Sequence, residues 1–146
     1  DCALAGIKYR KIGEKTFAKE KGYESTTYNI DCVDLLRPII VVEGELDCMA
    51  AWQMGFKNVI SLSDGAQSTK RAIEDLQNAK EILIATDIDK EGDAAAKTIT
   101  DALGAYRCAR VRLPFKERRD GVNVIMLHLT LDRPRAVKCP EVDDRI

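Results

Sequence analysis

The stretch Glu81-Ile-Leu-Ile-Ala-Thr-Asp87-Ile-Asp89-Lys-Glu-Gly92 decides how this chain is read. A short apolar run ends in two carboxylates one residue apart; a glycine and a helical pattern follow. In extended chain, residues i and i+2 face the same side, so Asp87 and Asp89 can aim at one point. Like charges this close repel, and such pairs persist where a cation sits between them. The expectation is a Mg²⁺ (or Mn²⁺) site at the carboxyl end of a buried strand. The competing reading is an Asx turn with a helix N-cap, which uses the same residue types without any metal.

Outward from that stretch the pattern is regular. Ile39-Ile40-Val41-Val42 is a run of β-formers, the mark of a strand covered on both faces, and it stops at Glu43-Gly44-Glu45. Leu46 to Met54 reads as a helix with Leu46, Met49, Ala50 and Gln53 on one side, closed by Gly55. Asn58 to Leu62 is a second strand, ending at Ser63-Asp64-Gly65-Ala66, and Thr69 to Asn78 a helix with Ala72, Ile73 and Leu76 inward. Ile82 to Thr86 is the third strand and Asp93 to Leu103 the third helix, closed by Gly104. Tyr106 to Leu113 alternates as a fourth strand, ended by Pro114.

This alternation predicts an α/β fold: about four parallel strands, right-handed crossovers, helices on both faces. Ligands of such sheets gather at the carboxyl strand ends. Glu43, Asp64 and Asp87 all fall there. For Asp64 the Asp-Gly pair favours a turn over metal binding.

The flanks are less regular. Residues 1–37 read as a small β/irregular extension from a preceding subdomain, 38–125 as the main domain and 126–146 as an irregular tail. Between Lys8 and Lys21 lie six Lys/Arg against Glu14 and Glu20, interleaved with Tyr9 and Phe17. This is either a strip facing nucleic acid or a solvated hairpin with its aromatics on the core. Arg107, Arg110, Arg112, Lys116, Arg118 and Arg119 place six cations in 13 residues, a candidate phosphate-binding edge, with Lys90 a candidate triphosphate contact.

Composition narrows the classes. The 146 residues suit one domain, and 45% hydrophobic residues suffice for one core. A net charge of −1 argues against a purely electrostatic nucleic-acid binder but leaves room for a local basic groove. The five cysteines form no Cys-x-x-Cys pair, which speaks against structural zinc; they read as reduced, mostly buried thiols of an intracellular protein. No apolar run approaches a membrane span, and no signal peptide opens the chain. The first residue is Asp1 rather than Met, so a piece of a longer protein is expected.

Glu43-Gly44-x-x-Asp47 after one strand and Asp87-x-Asp89-x-x-Gly92 after a later one resemble the Toprim domain, over about residues 39–125. That domain is shared by bacterial and phage primases, type IA and type II topoisomerases and some nucleases. Val42 to Ala50, Ser61 to Ala66, Ile7-Lys8-Tyr9-Arg10 and Tyr28-Asn29-Ile30-Asp31 are similar to the primase part of phage and organellar primase-helicases. Such primases carry Lys-Asp-x-Asn after the last strand; here Arg119-Asp120-Gly121-Val122-Asn123 is one residue longer.

The resemblance implies a nucleotidyltransferase that makes RNA primers on single-stranded DNA from NTPs, with a replicative helicase fused or bound. It implies Glu43, Asp47, Asp87 and Asp89 as catalytic residues. Among these, Glu43, Asp87 and Asp89 are the metal ligands, and Glu43 is alternatively a general base. The implied setting is cytoplasmic, in a bacterium or phage-infected cell, or organellar. A Toprim nuclease or topoisomerase that cuts DNA, a non-catalytic DNA-binding module and a phospho-receiver are the competing classes. The last would want five β/α units. This piece alone is expected to prime weakly or not at all.

Overall fold

Ile39–Val42 forms strand β3, following an amino-terminal hairpin of β1 (Lys8–Arg10) and β2 (Phe17–Lys19). The computed structural model describes residues 4, 6–14, 16–64, 66–112 and 130–132. Ile39 and Val41 are fully buried, as a doubly covered strand of β-branched residues requires. Helix α1 (Glu45–Gln53), β4 (Val59–Ser61), helix α2 (Ala66–Asp75), β5 (Ile82–Ile84), helix α3 (Lys90–Leu103) and β6 (Cys108–Arg112) follow. The sheet order is β4-β3-β5-β6-β7, with β3 to β6 parallel.

The fifth strand, β7 (Thr130–Asp132), runs antiparallel to β6 and lies inside the stretch expected to be irregular. It pairs Arg110 with Asp132 and Arg112 with Thr130. Three residues carry too little periodicity to announce a strand, and the partner supplies the order. Lys116 to Asn123 and the remainder of 126–146 lie outside the described residues.

Helices α2 and α3 cover one face of the sheet, where Ile39, Val41, Ile60, Leu76, Ile82, Ile84 and Ile99 form the larger core. Helix α1 covers the other, with Val42, Cys48, Ala51, Val59 and Val111. Burying each Ile or Val side chain is worth about 1.5–3 kcal/mol relative to exposure. In helix α1, Cys48 and Ala51 face the sheet, while Leu46 and Met49 are about half exposed. Small side chains let the helix lie close to β3 and β4, and the large ones turn outward. Trp52 is also half exposed, its ring capped by the Lys57 ammonium 3.0 Å from the centroid.

Loops are pinned by side chains. Asn58 donates to the carbonyls of Asp34 (3.0 Å) and Pro38 (2.9 Å) and accepts from the Asp34 N–H, fixing the entry to β3. Tyr28 exchanges two backbone hydrogen bonds with Ser61 and closes the outer edge of β4. Cys48 and Cys108 are buried thiols, but Cys32 is exposed. Burial, followed by the charges of Asp47 and Glu45, pushes the Cys48 thiol up to about 11. No helix among the described residues is long and apolar enough to cross a membrane.

Candidate active site

Strands β3 and β5 are hydrogen-bonded neighbours, with Val41 opposite Ile84, so their carboxyl ends open side by side. Glu43 leaves β3 and Asp87 follows β5. The Asp87 N–H donates to Glu43 Oε2 at 3.2 Å, joining the two halves of the bipartite motif. Burial raises the Glu43 pKa most; the Asp87 N–H opposes that, and the charges of Asp87, Asp89 and Asp47 add to the rise. Glu43 thus senses all three of the other acidic residues expected here, although they come from separate elements.

Asp89 serves as the N-cap of α3, its Oδ1 accepting the Gly92 N–H at 2.9 Å from an extended backbone. The capping alternative is therefore realised, and one carboxylate oxygen is committed to it. Asp47 stands in the first turn of α1, its Oδ2 only 2.9 Å from where a Cβ on Gly44 would lie. A side chain at Gly44 would push that carboxylate aside, a shift its flexible end allows. Gly92 is required: a Cβ there would collide with the Asp87 carbonyl. The glycine serves the packing of α3 on its own loop.

Among the described residues, no three His, Cys, Asp or Glu side chains converge tightly enough to cage an ion. Mg²⁺ does not demand such a cage. It usually takes one or two carboxylates and fills its octahedron with water and substrate phosphate. Asp87 is exposed and Glu43 half-buried beside it, so this all-oxygen donor set fits a hard divalent cation.

The basic residues divide. Lys90 is exposed on the first turn of α3, beside the acidic loop. Arg107 lies at the opposite end of the sheet and is spent on backbone: it donates to the carbonyls of Leu103, Gln77 (2.8 Å) and Ala79 (2.9 Å). Arg110 turns inward at the site end and donates to Thr86 Oγ1, the Asp87 carbonyl (2.9 Å) and Asp93 Oδ1 (3.0 Å). Arg112 belongs to β6, while Lys116, Arg118 and Arg119 lie outside the described residues.

A second charged cluster adjoins the site. Lys8 of β1 donates to Glu45 Oε1 (2.6 Å) and to the Ser63 carbonyl (2.8 Å), and it lies 3.7 Å from Asp64. Lys19 of β2 pairs with Asp64 at 2.6 Å. Burial acts to raise the Asp64 pKa, but Lys19 and Lys8 outweigh it and hold the carboxyl below its usual range. Asp64 is an anchor for the hairpin, a role that turn chemistry alone did not reveal. Tyr9 and Phe17 are half exposed, so these two aromatics do not pack on the core.

A parallel sheet bearing glutamate after one strand and an Asp-x-Asp loop after its neighbour defines a Toprim-type domain. Residues 40–124 match the family described as Toprim-like, and the chain belongs to that family. The chain is 34% identical to the Twinkle homolog protein, chloroplastic/mitochondrial, of Arabidopsis thaliana, over 84% of this chain and 20% of that protein. It is 32% identical to the Primase homolog protein of the same plant, over 84% of this chain and 43% of that one. The chain thus spans less than half the length of either relative. Among solved structures, the primase fragment of the bacteriophage T7 primase-helicase superposes with a TM-score of 0.66, at 24% identity, covering 79% of this chain and 50% of that one.

Proposed function

We propose that this chain is the Toprim catalytic domain of a DNA primase, joining ribonucleotides into RNA primers on single-stranded DNA during replication. The observation that carries the reading is the Glu43–Asp87 contact, which brings both halves of the acidic motif to neighbouring strand ends. The names of the two plant relatives, one a primase homolog, favour primer synthesis over cleavage. The reading extends to a template strand, NTPs and a growing primer as substrates, with a replicative helicase fused or bound. The name of one relative points to an organelle as the setting.

Glu43, Asp87 and the free oxygen of Asp89 would hold Mg²⁺ or Mn²⁺. When bound, the cation would offset negative charge developing on the reacting phosphate. Glu43, with its raised pKa, is placed to accept a proton from an attacking 3′-hydroxyl. Asp47 adds negative potential from the first turn of α1. Lys90, Arg112, Lys116, Arg118 and Arg119 are proposed contacts for phosphate, on the strength of their charge and place in the chain.

The test is dinucleotide synthesis on single-stranded DNA with NTPs and Mg²⁺ or Mn²⁺, in the longest form of the protein that carries this chain. Asp87→Ala and Glu43→Gln are each expected to abolish it. Synthesis that survives both substitutions refutes the site. Metal-dependent nicking of plasmid without synthesis replaces primase with nuclease.

A further inference from the structure

Arg110 is the one cation of the basic run that the described structure turns toward the acidic loop. Its guanidinium is largely buried, with 18% of the side chain exposed. One nitrogen donates to Thr86 Oγ1 in the loop after β5, and the other reaches the Asp87 carbonyl of that loop at 2.9 Å and Asp93 Oδ1 at 3.0 Å on α3. Thr86, itself 2% exposed, passes its own hydroxyl proton to the Gly92 carbonyl at 2.8 Å. A continuous chain of donors therefore runs from β6 through the loop after β5 into the first turn of α3.

The consequence falls on Asp87. Its N–H is held by Glu43, its carbonyl by Arg110, and that carbonyl is backed by the bare Cα of Gly92. With both sides of its backbone held, the direction in which the Asp87 Cα–Cβ bond leaves the loop is set. The first turn of α3, which Asp89 caps, is fixed by the same chain. Three acceptors, two on the loop after β5 and one on α3, match the planar donor fork of an arginine; a lysine ammonium is a single point and cannot span them.

We propose that Arg110 is a positioning residue for the carboxylate site. It holds the loop between β5 and α3 in the geometry that lets Asp87 and Asp89 act together on a divalent cation, and it is not free to grip nucleic acid. This inference rests on the reading of Asp87 as a metal ligand, so the experiment carries its own control.

Mn²⁺ affinity is measured by the loss of the free Mn²⁺ resonance in electron paramagnetic resonance, on the whole chain, without nucleotide. Arg110→Ala is expected to weaken binding about 10-fold or more, as losing an outer partner of a metal ligand does. Its far-UV circular dichroism should stay native at the titration temperature. Arg110→Lys restores the charge but not the fork, and should regain only a small part of the loss. A folded R110A with wild-type affinity overturns the proposal, as does complete rescue by R110K. If R110A does not fold, Thr86→Val carries the test: it removes the hydroxyl relay at constant shape, and unchanged affinity overturns the proposal. Asp87→Asn is the control. If it binds Mn²⁺ as wild type does, or if wild type binds none, the metal-site reading falls and this inference falls with it.

Discussion

Asp89 carries two roles that a pair of substitutions separates. Its Oδ1 caps α3 through the Gly92 N–H at 2.9 Å, and its charge faces the positive end of a 14-residue helix. Losing an N-cap costs about 1 kcal/mol, within a range of roughly 0.5–2. For a chain of this size that is a fall in Tm of about 2–4 °C. Asp89→Ala should show this fall without metal. Asp89→Ser keeps a capping oxygen, and should stay within about 1 °C of wild type because serine and aspartate are near-equal caps.

With saturating Mn²⁺ the order changes. A ligand at 100 times its Kd stabilises the folded state by about 2.7 kcal/mol. Wild type should gain that in full, and D89A and D89S should both lose most of it. The assay is differential scanning calorimetry of the three proteins, with and without Mn²⁺. A metal-induced shift in D89S equal to that of wild type refutes the ligand role and leaves Asp89 as a cap alone. An unchanged Tm for metal-free D89A refutes the cap.

Gly92→Ala tests helix propensity against local packing. Propensity alone favours alanine within a helix by up to about 1 kcal/mol. The new Cβ would lie 2.9 Å from the Asp87 carbonyl carbon and 3.0 Å from its nitrogen, so overpacking of about 1–3 kcal/mol should win and lower the Tm; a higher Tm contradicts the packing described. Acid should release the hairpin before the sheet. The Asp64 pKa is lowered in the folded state, so its contribution is present above the unfolded value near ~3.9 and is lost as pH falls through the folded one. Amide exchange corrected for intrinsic rates should show β1 and β2 losing protection below about pH 4 while β3 and β5 keep theirs. Uniform protection down to pH 3 would contradict this.

The fold was legible where local pattern and tertiary environment agree. Ile39–Val42 is β-branched throughout and buried, so its reading as a doubly covered strand held at both ends. The turn from Glu43 to Gly44 and the Asp87-x-Asp89 loop were legible because few residue types tolerate such corners. Which face of α1 turns inward was not legible. Helical spacing puts Leu46 and Met49 on one side without saying which side is buried, and closeness to the sheet selected the smaller Cys48 and Ala51. β7 was missed because three residues hold no period, and its order comes from β6. Cations have no address in a sequence: Arg107 and Arg110 look alike on a basic strand. Only the fold sends one to the carbonyls beyond α2 and the other to the Asp87 loop. The Asp64 anchor depends on partners 45 and 56 residues away, beyond any local signal.

Lys8 and Lys19 stand directly opposite each other in the β1–β2 ladder, an arrangement that disfavours the hairpin by itself. A lone two-stranded hairpin is marginal even without such repulsion. Two carboxylates resolve the conflict: Asp64, beyond the end of β4, pairs with both lysines, and Glu45 takes Lys8 at 2.6 Å. The hairpin therefore takes its shape from the sheet: its two lysines can share a ladder only where Glu45 and Asp64 stand ready to neutralise them.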